Sequence, residues 1–346
     1  MKIVGCDFHP SFQQIAVLET STGEIEQGRL CHNDGEAEQY YRQLEGPALI
    51  GMEAVGNSLW FEQLMQRLGH ELWIGDAAEI RASYVRRQKT DKRDAGHILR
   101  LLMEQRFPRI WVPSAAERDR RQLLLHRHKL VGMRTRVKTE LQHLALNQGM
   151  QKKRKLWSVQ GRADLEKLSL EGWTRKRRED LLAVLDLVEN QVEKLDDAVK
   201  EIAADDRQAQ LLMTQPGVGP MTALAFVATI GDVRRFKRGK QIASYLGLIP
   251  AERSSGDKRR LGAISKQGNV FLRTLLVEAA QSAVRHDAEF RREYRHRCHQ
   301  KPTGVAKVAA ARKLAVRLYW MLRTQTPYAA AVHNEGSPSH SVVSVS

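Results

Sequence analysis

Four acids are spaced so that they could hold metal beside a polyanion. They are Asp7 in "GCDFH", Glu53 in "GMEAVGN", and Asp91 and Asp94 in "KTDKRDA". A pair of divalent cations about 4 Å apart needs several carboxylates converging on one point. Two such ions stabilise the attacking and leaving oxygens of a phosphodiester in line. Asp91 and Asp94 lie three apart, which on a helix puts them on one face. Lys89, Lys92 and Arg93 are interleaved with them and could hold the phosphate backbone alongside. Each acid also has an ordinary use: Asp7 in a turn, Glu53 at an exposed strand end, and Asp91 and Asp94 at a helix start, where acids are favoured.

A second cluster is "RSSGDKRRLGAISKQGN". Ser254 and Ser255 precede Gly256 in a stretch dense with Arg and Lys. An activated serine hydroxyl can attack a phosphodiester and leave a phosphoserine link that conserves the bond energy for rejoining. Arg253, Lys258, Arg259 and Arg260 could stabilise the developing charge, and Lys266 extends the basic stretch. No His–Asp pair lies nearby to act as a base, so metal held by the first domain is the candidate activator. The same residues could equally make a phosphate-gripping loop, where Ser and Gly serve as turn formers.

The elements that must position these groups can be read in outline. "KIVGCDFH", "QQIAVLET" and "IEQGRL" read as three strands joined by turns, an antiparallel meander. "EAEQYYRQL" reads as a helix, "ALIGMEA" as a buried strand ending at Glu53, "SLWFEQLMQRLG" as a helix with a terminal Gly, and "HELWIGD" as a further strand. The segment from Asp91 through "AGHILRLLMEQ" is helical. A meander followed by alternating strands and helices makes a mixed α/β domain, in the order of a ribonuclease-H-like nuclease fold, over about residues 1–110. From 111 to 206 the chain reads as a helical connector. Ser114 can cap a long helix that stops near Gly149. Leu181, Leu185, Val188, Val192, Leu195, Val199 and Ile202 follow at heptad intervals. That is a coiled-coil seam within or between chains, or one helix of a local hairpin. From 207 to 328, "LLMTQPGVGPMTALAFVATIG" has a Pro-Gly-x-Gly turn between helical segments, like half of a helix-hairpin-helix. Such a turn can offer backbone N–H groups to phosphate. Two helices, "FLRTLLVEAAQSAVRH" and "VAKVAAARKLAVRLYWML", close the region, and residues 329–346 read as a disordered tail.

Bulk properties narrow the partners. A formal net charge of +16 and a sequence pI near 9.9 point to nucleic acid. No stretch approaches the ~20 apolar residues of a membrane span, and the N-terminus lacks a signal peptide's pattern. Cys6, Cys31 and Cys298 form neither a zinc spacing nor a disulfide framework. His296 and His299 flank Cys298 without a second ligand pair. A soluble cytoplasmic chain follows.

Taken together, the three acidic motifs, "QPGVGPMTALAFVATIGD", "IASYLGLIP" and "SSGDKRRLGAISKQGNVFLR" resemble the DEDD-type insertion-sequence transposases, from residue 1 to about 325 and in that family's domain order. The resemblance implies a RuvC-like N-terminal domain, a coiled-coil connector and a mainly α C-terminal transposase domain. It implies Mg²⁺, or Mn²⁺ in its place, on Asp7, Glu53, Asp91 and Asp94. It implies a serine nucleophile at Ser255, with Ser254 one position away. It further implies a recombinase that excises and inserts its own element in the prokaryotic nucleoid. Such an enzyme would work as a dimer or tetramer and pair donor and target double-stranded DNA through a structured bridge RNA. A Holliday-junction-type nuclease using water, and a non-catalytic nucleic-acid-binding protein, are the alternatives.

Overall fold

A computed structural model describes residues 1–84, 90–151, 155–252 and 260–328. The chain gathers into two compact units, Met1–Val112 and a second that begins at Pro113.

In the first unit, β1 (Lys2–Phe8), β2 (Phe12–Glu19) and β3 (Ile25–Cys31) form the expected antiparallel meander. After α1 (Glu36–Arg42), strand β4 (Leu49–Glu53) pairs parallel to β1. After α2 (Leu59–Leu68), β5 (Glu71–Gly75) pairs parallel to β4. The sheet order is β3-β2-β1-β4-β5. A short helix that periodicity did not show, α3 (Ala77–Ala82), is capped by the Asp76 carboxylate. Helix α4 (Asp91–Met103) follows.

Alternation along the strands sorts two faces. Val4, Cys6, Phe8, Ile50 and Met52 pack with Ala37, Tyr41, Phe61, Leu64 and Met65 of α1 and α2. The opposite face carries α4, through Ala95, Ile98, Leu99 and Leu102. That face is unusually smooth where the helix lies. Gly5 pairs with Ala16 on one side and Gly51 on the other. A Cβ on Gly5 would stand 2.3 Å from the Ala95 carbonyl oxygen and 2.4 Å from the Leu99 nitrogen. The helix backbone therefore rests almost directly on β1.

The second unit is mostly helical. Ser114 caps α5 (Ala115–Asn147) in a full capping box with Glu117, and Gly149 takes φ 79° just past its end. After α6 (Val159–Glu166), the heptad segment forms α7 (Gly172–Asp205), with Leu185, Val188, Val192 and Val199 buried. Leu182 and Leu185 pack with Leu141, Leu144 and Ala145 of α5. Arg127 clasps Asp196 at 2.6 and 3.1 Å, and Arg177 meets Glu140 at 3.0 Å. The seam is thus filled within the chain, as a helical hairpin.

Helices α8 (Arg207–Met213) and α9 (Pro220–Ile230) flank the Pro-Gly-x-Gly turn. Gly217 there has φ 88°, and a Cβ on it would meet the Ala283 nitrogen at 2.4 Å, so this glycine serves close packing against a later helix. After a 3₁₀ turn (Val233–Arg235) comes α10 (Gly239–Tyr245). Strands β6 (Pro250–Glu252) and β7 (Leu261–Ile264) pair antiparallel, a small sheet that the helical reading did not include. Helices α11 (Val270–His286), α12 (Ala288–Gln300) and α13 (Thr303–Thr324) follow. Helix α12 carries the arginine run, and only Phe290 on it is buried. The tail 329–346 lies outside the described residues.

Candidate metal centre

The face of the sheet under α4 places the acids. Asp7 is two residues beyond Gly5 and Glu53 two beyond Gly51, so both lie on the face of the smooth row, at the C-terminal ends of adjacent parallel strands. Helix α4 begins above those ends, and Asp91, Asp94, Ala95 and Ile98 run along one side of it. Because Ala95 sits on Gly5, the first turn of α4 is held close to the end of β1.

His9 links the acids. Its Nε2 is 3.1 Å from Asp7 Oδ2 and 3.9 Å from Asp91 Oδ2. One ligand atom from each of Asp7, His9 and Asp91 falls within 4.8 Å of the other two. Asp94 is only 5% exposed and accepts a hydrogen bond of 2.6 Å from the Tyr84 hydroxyl. Tyr84 stacks on His97 with ring centroids 4.1 Å apart, and His97 Nε2 stands 2.7 Å from Ser83 Oγ. Glu53 sits one strand over, with Oε1 3.7 Å from the Arg81 guanidinium. The tight group is therefore Asp7, His9 and Asp91, with Asp94 next to it and Glu53 held towards Arg81.

The electrostatics connect all four acids. Burial pushes the Asp7 carboxyl above the usual carboxylate range; the charge and hydrogen bond of His9 oppose this, and the negative charges of Asp94 and Asp91 add to it. The Tyr84 hydroxyl is pushed up by burial first, then by its bond to Asp94 and the fields of Asp94, Asp7 and Glu53. Like charges crowded at a part-buried point stay ionised most readily when a cation offsets them. The oxygen-rich donor set suits a hard divalent ion, so the residues present fit one.

Of the expected nucleic-acid contacts, Lys92 and Arg93 are exposed on the first turn of α4, next to Asp91, and Arg260 and Lys266 are exposed in the second unit. Lys266 takes the left-handed φ of 56°. Lys89, Arg253, Ser254, Ser255, Lys258 and Arg259 lie outside the described residues. Strands β6 and β7 flank that basic serine segment on either side. His9, Tyr84, Arg81 and His97 were not singled out from the sequence. His9 alone had a visible signal, two positions from Asp7 within the same motif.

Comparison with known proteins identifies the family. A DEDD transposase family model of the IS110 type matches residues 4–149. A model described as transposase of the IS116/IS110/IS902 family matches residues 209–295. A Pseudomonas aeruginosa protein named "Probable family 20 transposase" is 30% identical over 304 residues, 84% of this chain and 88% of its own length. The "Transposase for insertion sequence element IS1111A" of Coxiella burnetii is 27% identical over 293 residues, 83% of this chain and 79% of its own. Transposases of this kind are enzymes that cut and recombine DNA. The chain belongs to the DEDD-type IS110 family of transposases. The family implies use of a divalent metal and binding of DNA.

Proposed function

We propose that the protein excises and inserts its own mobile element by Mg²⁺-dependent strand exchange through a phosphoserine–DNA intermediate. The observation that carries this reading is the meeting of Asp7 and Asp91 at one point, with Asp94 and Glu53 in the same field. The order β3-β2-β1-β4-β5, antiparallel and then parallel, supports a RuvC-like catalytic domain over residues 1–110. Residues 111–206 then serve as the connector and 207–328 as the transposase domain that carries the nucleophile.

Asp7, Glu53, Asp91 and Asp94 would hold the metal, and bound ions would offset charge on the attacking and leaving oxygens. Lys92 and Arg93, with Lys89, grip the strand beside them. Ser255 attacks phosphorus: the serine oxygen–phosphorus bond forms, the phosphorus–deoxyribose oxygen bond breaks, and the freed sugar oxygen leaves as a hydroxyl. Arg253, Lys258, Arg259, Arg260 and Lys266 supply cationic contacts to the phosphate. A bridge RNA selects the two DNA sites by base pairing, as RNA guides do elsewhere, and the active species is a dimer or tetramer.

The test is a denaturing gel of protein incubated with element-end DNA and Mg²⁺. Wild type should give a covalent adduct, and Ser255→Ala should give none while still binding nucleic acid. A full-strength adduct from the variant removes Ser255 from the role. Attack by water is the second reading, favoured by an acidic centre assembled wholly within the first unit. It predicts free DNA ends, no adduct, and cleavage that survives Ser255→Ala.

A further inference from the structure

We propose that His9 is itself a ligand of the metal centre, and that its nitrogen biases the site towards Mn²⁺ over Mg²⁺. This rests on the reading of Asp7 and Asp91 as metal ligands. Ligands about 2.1 Å from one ion and at right angles to each other stand about 3 Å apart. His9 Nε2 and Asp7 Oδ2 are 3.1 Å apart, the length of such an edge. Asp91 Oδ2 lies 3.9 Å from the same nitrogen, on a half-exposed side chain at the first turn of α4.

The imidazole is held in this direction from behind. Its ring stacks on Phe12, with centroids 4.6 Å apart and planes 24° from parallel. The His9 backbone N–H donates to the Phe12 carbonyl at 2.9 Å, closing the turn between β1 and β2. Stacking and turn together aim Nε2 at the two carboxylates rather than at solvent. Neutral imidazole is a common ligand for first-row transition metals. Mg²⁺ prefers an all-oxygen octahedron, so a nitrogen in the set penalises it relative to Mn²⁺.

The experiment is Mn²⁺ binding to the full-length protein without nucleic acid, followed by pulsed EPR of the bound ion and by competition with Mg²⁺. Wild type should show coupling of Mn²⁺ to a ¹⁴N nucleus. His9→Ala should lose that coupling and reduce the preference for Mn²⁺ over Mg²⁺ by at least the ~10-fold that follows loss of a ligand's outer partner. His9→Gln, which keeps an oxygen donor, should bind Mn²⁺ with no ¹⁴N signal and guards against a folding defect in the alanine variant. Mn²⁺ bound by wild type without nitrogen coupling, or with coupling that persists in both variants, overturns the assignment of His9. Asp7→Asn separates the two levels. Loss of Mn²⁺ binding in that variant upholds the carboxylate centre whatever His9 does, whereas unchanged binding overturns the centre and the inference with it.

Discussion

Asp7 carries the tension of the site. It is part-buried and faces Asp91 and Asp94; burial is the main cause that raises its pKa, and the charge and hydrogen bond of His9 only partly oppose the combined effect. Its folded-state pKa is raised, so the folded protein holds this proton more tightly than the unfolded chain. Stability from that difference is fully present below the ordinary carboxylate value. It is lost as pH rises from about pH 4 through the raised folded value. Asp7→Asn removes the ionising group while keeping the shape. Without metal, this variant should therefore be more stable than wild type at neutral pH, and the gap should close on acidification. Added Mn²⁺ should stabilise wild type and leave the variant unmoved. Urea denaturation across pH, with and without metal, checks both signs; equal stability at neutral pH would mean the acids are not in tension. The acids themselves were legible, because carboxylates at strand ends and a helix start in a basic chain are informative by type and spacing. Tyr84 was not, since "RASYVRR" gives no hint that its hydroxyl reaches Asp94 ten residues on.

At the scale of elements, one helix on one smooth strand sets the geometry. Helix propensity and apolar spacing made α4 legible, and β-branched and aromatic runs made the sheet legible. What could not be read was the register that sets Gly5 between Ala16 and Gly51 and lets α4 sink onto β1, because pairing across strands is a tertiary fact. The same limit applied to the heptad, whose period was clear while its partner, α5, was not. The strand pair β6–β7 is too short, at three and four residues, for alternation to register. The smooth row makes a prediction. Gly5→Ala drives a methyl into backbone atoms of Ala95 and Leu99, which no side-chain rotation can relieve. Overpacking of this kind costs about 1–3 kcal/mol and sometimes more, and here it also lifts the helix that carries Asp91 and Asp94. Gly28→Ala on β3 is the control, since its nearest neighbour would be an Ile15 side-chain carbon at an ordinary 3.6 Å. Chemical denaturation and Mn²⁺ titration of the two variants should show lost stability and weakened metal binding in Gly5→Ala alone.

Over the whole molecule, a formal charge of +16 coexists with a local knot of acids. None of the helices among the described residues is long and apolar enough to cross a membrane. A polyanion is the natural counterpart of the excess positive charge. Phosphate neutralisation by Lys and Arg releases counterions, and log K should fall with log salt by about 0.9 for each phosphate engaged. The acids oppose this binding when bare, and metal converts them from repulsive to neutral or attractive. On the proposed reading affinity and chemistry rest on different residues, and they should separate on chelation. With EDTA, strand cleavage should stop, while duplex binding persists with the salt slope nearly unchanged. Asp91→Asn, which removes one negative charge beside Lys92 and Arg93, should bind DNA in EDTA at least as tightly as wild type and yet cleave nothing when Mg²⁺ is returned. Lys92→Ala and Arg93→Ala should each lower the slope by about one without regard to sequence. Filter binding across a salt series, paired with a cleavage assay, reads all of these. If EDTA abolished binding as completely as cleavage, the ions would be the main bridge between protein and phosphate, and the excess of Lys and Arg would need another partner.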